Sequence, residues 1–170
     1  MGRTAFAFAM DTTADSVVPD IERATTASGE ALADALARVE IAVRAVVRGE
    51  AGPFAELWSH GDDSTLFGAF GPAKRGWREL EPVFPWVASR YQGGRLSVDY
   101  VSVVEGVDTA YTVGYERAIV SIDGERPATS TIRVTHIFRR EEGRWMLVHR
   151  HGDFVPAGDA STSGSGAEGR

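Results

Sequence analysis

The spacing of apolar residues changes period once along this chain, and that change restricts the fold more than any other feature. Up to about residue 91 apolar positions recur at steps of three and four; from residue 93 they alternate. In "GEALADALARVEIAVRAVVRGE", Leu32, Leu36, Val39, Val43 and Val46 make one helical stripe, and Gly49 and Gly52 stop it. "GPFAELWSHGDD" follows. Its Pro53 suits a helix first turn, and Phe54, Leu57 and Trp58 form a short apolar face. "STLFGAF" reads as a short strand. "GPAKRGWRELEPVFPWVASRY" carries Trp77, Leu80, Phe84 and Val87 at helical spacing, but Pro82 and Pro85 predict a kinked or broken helix.

The alternating half contains four long strands: "GRLSVDYVSVVEG", "DTAYTVGYERAIVSIDG", "ATSTIRVTHIFRREEG" and "RWMLVHRHGDF". Glu105-Gly106, Asp123-Gly124 and Glu142-Gly143 separate them as turn signals. Helices first and hairpin-linked strands afterwards imply an α+β fold, with an antiparallel sheet and helices on one face.

Composition narrows the function classes. A chain of 170 residues predicts one domain. The absence of cysteine excludes disulfides, thiolate nucleophiles and Cys-type zinc sites, and fits a cytoplasmic location. A net charge of −6 argues against a general nucleic-acid binder. No apolar run has the length of a membrane span, and the patch in "MGRTAFAFAM" is too short for a secretory signal core. Residues 1–23 read as a flexible N-terminus and residues 157–170, rich in Gly and Ser, as a disordered tail. The domain is expected over residues 24–156.

The order of elements, together with "FAELWSHGDD", "AYTVGYE" and "TIRVTHIFRREEGRWMLVHRHGDF", resembles the SnoaL-like domains of the nuclear transport factor 2-like superfamily. The run Thr131-x-Arg133-Val134, followed by Gly143-x-Trp145-x-x-Val148-His149-x-His151, is also similar to the association domain of calcium/calmodulin-dependent kinases. The resemblance implies a cone-shaped, curved antiparallel sheet with N-terminal helices packed on its concave face and a pocket between them. It implies homodimers through the outer face of the sheet, and small, often cyclic and apolar ligands. Ketosteroid isomerases and polyketide cyclases of this superfamily use a carboxylate base. The isomerase Tyr-and-Asp oxyanion pair has no match in this sequence.

Candidate site residues depend on one turn. A two-residue Glu142-Gly143 loop needs left-handed backbone at a glutamate, so a three-residue Glu141-Glu142-Gly143 loop is favoured. It pairs Arg133 with His151 and places Arg133, His149, His151 and Asp153 on one face; a one-residue slip exchanges the faces. If that face is concave, His151 is the general acid or base, and Asp153 orients it or acts as the base itself. Arg133 then binds an anionic ligand group, and Tyr115, Trp58 and His149 complete the wall. The alternative is a satisfied polar network on a closing strand. His149-x-His151-x-Asp153 also has the look of a metal motif, but residues two apart on a strand are too widely spaced for one ion without bulging, so no metal or cofactor is expected.

The expected function is a small-molecule pocket protein of the SnoaL-like type. It would perform acid–base chemistry of an isomerase, cyclase or hydratase kind, or act as a noncatalytic small-acid binding or dimerisation module. Its expected partners are a small-molecule ligand and a second copy of the chain, with no nucleic acid or membrane. Whether it is an enzyme stays open at this point.

Overall fold

The computed structural model describes residues 29–155. The flexible N-terminus expected over 1–23 and the disordered tail expected over 157–170 lie outside the described residues.

The fold is α+β. Helix α1 (Leu32–Val46) buries Leu32, Val39 and Val43 with Ala35, Ala42 and Ala45. Alanines on the packing side let the helix lie close over the sheet. Arg38 ties it down, donating to Glu30 at 2.8 Å and to the Trp145 carbonyl at 2.9 Å. Short α2 (Gly52–Ala55) leads to β1 (Thr65–Phe67) and β2 (Ala73–Arg75). The helix expected after Gly71 is two pieces, α3 (Trp77–Leu80) and α4 (Val83–Ser89), broken at Pro82. Its predicted start is instead β2, whose three residues are too few to show a period. Four long strands follow: β3 (Tyr91–Glu105), β4 (Thr109–Ile122), β5 (Ala128–Glu141) and β6 (Arg144–Phe154).

All six strands form one curved, unclosed sheet in the order β2-β1-β6-β5-β4-β3. Pairing is antiparallel except between β1 and β6. Helices cover the concave face. Between them lies the core, centred on Trp58, Leu80, Phe138, Trp145 and Leu147. Among the described residues no helix is long and apolar enough to cross a membrane.

The β5–β6 hairpin departs from the expected register. Glu141 pairs with Arg144 across a two-residue turn, with Glu142 at φ 48° and Gly143 at φ 80°. Glutamate does take the left-handed conformation that argued for a longer loop. A second irregularity compensates: Phe138 pairs with Leu147 and Ile137 with His149, so Val148 is an extra residue in β6. Trp145 and Leu147 point into the core before the bulge; beyond it Arg150 and Gly152 occupy the inner face. Arg133 therefore faces Asp153 rather than His151.

Candidate functional site

A narrow pocket of about 70 Å³ lies between α1, α4, the β1–β2 loop and the concave sheet face. Most of its wall is apolar, including Val43, Val47, Phe84, Val87 and Leu96, with Phe70 from the loop. Among the described residues only Tyr91, Glu116 and Arg150 bring polar side chains to it.

Tyr91 begins β3, while Glu116 and Arg150 lie within β4 and β6. On β4 the inner positions are Ala110, Thr112, Gly114, Glu116, Ala118 and Val120, all buried, because alternate residues face the helices. Glu116 is thus carried inward by its parity, and Arg150 by the bulge at Val148. Their side chains are 4% and 11% exposed. Arg150 Nη1 donates to Glu116 Oε1 and Nη2 to Oε2, each at 2.7 Å. This is the two-pronged pairing that makes a buried carboxylate tolerable.

His136, fully buried on the inner face of β5, completes the network. Arg150 Nη1 also donates to its Nε2 at 2.6 Å. Burial, and next the Arg150 charge, hold His136 well below the usual imidazole range, so the ring is neutral at pH 7. With Nε2 accepting, Nδ1 carries the proton and faces Thr112 Oγ1 at 3.5 Å. Burial pushes the Tyr91 hydroxyl up to about 12, with the Glu116 charge adding to it, so Tyr91 stays a proton donor. No three histidine, aspartate or glutamate side chains among the described residues converge as a metal site.

The SnoaL-like domain family model matches residues 35–157. The chain belongs to this family. Solved structures share the fold of this SnoaL-like domain at low identity. A candidate dehydratase of the nuclear transport factor 2-like family from Streptomyces avermitilis is 19% identical, with TM-score 0.62, covering 74% of this chain and 94% of that one. A ketosteroid isomerase-like protein from Erwinia carotovora atroseptica is 20% identical, with TM-score 0.61 and coverages of 74% and 96%. A candidate calcium/calmodulin-dependent kinase type II association domain from Thiobacillus denitrificans is 18% identical, with TM-score 0.56 and coverages of 73% and 92%. No curated protein matches the chain.

The residues expected to form the site of this domain do gather, but on the other face of the sheet. Arg133, His149, His151 and Asp153 sit on the outer side. Arg133 Nε donates to Asp153 Oδ1 at 3.2 Å, and Nη2 bonds the second oxygen. That bond holds the Asp153 carboxyl below its ordinary range. Both side chains are about half exposed, so the pair adds little stability. His149 Nδ1 lies 2.7 Å from Thr65 Oγ1, and the Phe67 ring meets both imidazoles edge-on. Tyr115 is also outside, under the Arg117 guanidinium. Trp58 points inward but stands behind the pocket wall, packed on Phe54 and Phe84 at ring distances of 6.3 and 5.5 Å.

Glu116 and Arg150, which line the pocket, and His136 behind them were not expected as site residues. Glu116 lies within "AYTVGYE", and its polar side chain among alanines and Thr112 was the available signal. Arg150 had none, since a bulge leaves no mark in the alternation of "RWMLVHRHGDF".

Proposed function

We propose that this SnoaL-like domain binds a small, largely apolar organic molecule, and that the Arg150–Glu116–His136 floor engages an oxygen of that ligand. The observation that carries this reading is the buried, doubly hydrogen-bonded Arg150–Glu116 pair lining an otherwise apolar pocket. A fold needs no ion pair there for stability, because an apolar pair of equal volume is commonly as good or better. Retaining it makes sense where a ligand needs directed donors and acceptors. Glu116 is then the proton acceptor of any acid–base step, and the Tyr91 hydroxyl a donor near it. Two relatives named as a dehydratase candidate and as ketosteroid isomerase-like support chemistry of that kind. The role expected of His151 and Asp153 passes to Glu116, because the pocket lies on Glu116's side of the sheet.

The test is ligand binding by calorimetry across a panel of small cyclic compounds, on the wild type and on two sets of variants. Arg150→Met should weaken binding by about tenfold or more, the loss of charge-assisted hydrogen bonds. Arg133→Ala and His151→Ala should leave it unchanged. The reverse pattern would move the site to the outer face.

The outer face carries a second proposal. Phe67, Tyr111, Val113 and Ile119 are exposed there, an apolar surface suited to a second copy of the chain.

A further inference from the structure

The ligand's chemical class follows from counting the donors and charges of the pocket floor; the argument rests on the pocket reading above. Arginine has five N–H groups. Two on Nη1 go to Glu116 and His136, and one on Nη2 goes to the second Glu116 oxygen. The Nε–H and the other Nη2–H have no partner among the described residues. They form one edge of the planar guanidinium, side by side, a ready fork for an oxygen acceptor. Gly152 of the same strand lies beside Nη2. A Cβ there would sit 3.5 Å from Arg150 Nη2 and 3.2 Å from Ile132 Cγ2, and both residues line the pocket.

The charge count runs against the donor count. Among the described residues Glu116 and Arg150 are the only charged side chains lining the pocket, and they cancel. His136 behind them is fully buried and adds no charge. A carboxylate on the free edge would share one guanidinium with Glu116, leaving a net negative charge among apolar walls. An uncharged carbonyl oxygen accepts the same two N–H groups with a far smaller desolvation cost. We infer that the pocket selects uncharged carbonyl compounds over carboxylates of the same shape, and that Glu116 sets this selection by cancelling the Arg150 charge without using its side edge. This departs from a small-acid ligand.

The experiment compares near-isosteres: cyclohexyl methyl ketone and cyclohexanecarboxamide against cyclohexanecarboxylate, by calorimetry at neutral pH. The wild type should bind the uncharged pair about tenfold or more tightly than the acid. Glu116→Gln uncovers the Arg150 charge and should invert the order. The Glu116→Gln/Arg150→Met double variant, which restores neutrality without the fork, should lose both the affinity and the preference. It serves if the single variant does not fold. A wild type that prefers the carboxylate overturns the ligand class while leaving the pocket reading intact. A preference unmoved in Glu116→Gln overturns the assignment to Glu116. Binding of none of the three, while other members of the cyclic panel bind and need Arg150, also overturns the class. Binding of no small compound at all removes the pocket reading with it.

Discussion

One inserted residue, Val148, decides which side chains of "RWMLVHRHGDF" meet the helices. Without a bulge, Trp145, His149, His151 and Asp153 would share a face, as their odd numbers suggest; with it, Trp145 is 1% exposed in the core and the other three face outward. The inner-face residues around Arg150, which the bulge brings against His136 of β5, then carry unusual burdens. His136 is the most perturbed of them, and its neutral state gives a pH dependence with a definite sign. The folded-state value lies below that of the unfolded chain, about 6.5, so the unfolded state binds more protons in between. Stability should be at its plateau above about pH 6.5 and decline as pH falls below it. His149, lowered by burial and then by His151, adds to the decline with the same sign. Chemical denaturation of the wild type and of His136→Gln, measured between neutral and mildly acid pH, should show a shallower decline in the variant. An equal slope in both would mean that His136 is not held neutral by the fold.

At the scale of elements, the sequence showed the strands and most of the helices but misplaced the register that orients them. Leu32, Val39 and Val43 are buried on one helix face, as their spacing predicts, and Pro82 does interrupt the later helix. Two things were hidden. Alternation on β4 is genuine, yet its larger apolar residues, Tyr111, Val113 and Ile119, face outward while small ones and Glu116 face the helices. On β4 the more apolar parity therefore marks the outer face, not the core. The β5–β6 turn was judged from the cost of a left-handed glutamate, a cost the protein accepts at Glu142. That acceptance makes a prediction about the hairpin. Two successive left-handed residues suit Asn-Gly, so Glu142→Asn should stabilise the domain by about 0.5–1 kcal/mol. A higher urea midpoint at unchanged slope would record it. A lower midpoint would mean that the Glu142 side chain supplies more than its backbone strain removes.

For the whole molecule, the two faces of one sheet divide the work. The concave face is sealed by helices except at the pocket; the outer face stays open. Tyr111, Val113, Ile119 and Phe67 there are between 39% and 51% exposed. Apolar alternation on a strand reflects burial of one side, and here the more apolar side of β4 faces away from the core of its own chain. A second copy on that face would bury it, and a stable pair needs about 800 Å² from each partner. The polar groups expected to form the site, His151 and Asp153 as catalytic residues and Arg133 and His149 as ligand-binding ones, would then lie in or beside the subunit contact. Val113→Glu places a charge within this surface and, with no core contact to lose, should give a folded monomer in analytical ultracentrifugation. Ile41→Glu is the control: Ile41 is 60% exposed on α1, away from the sheet's outer face, so that variant should sediment like the wild type. A wild type that is monomeric at all concentrations would leave the outward apolar residues of β4 without this partner. A dimer that survives Val113→Glu but not Ile41→Glu would place the contact on the exposed face of α1 instead.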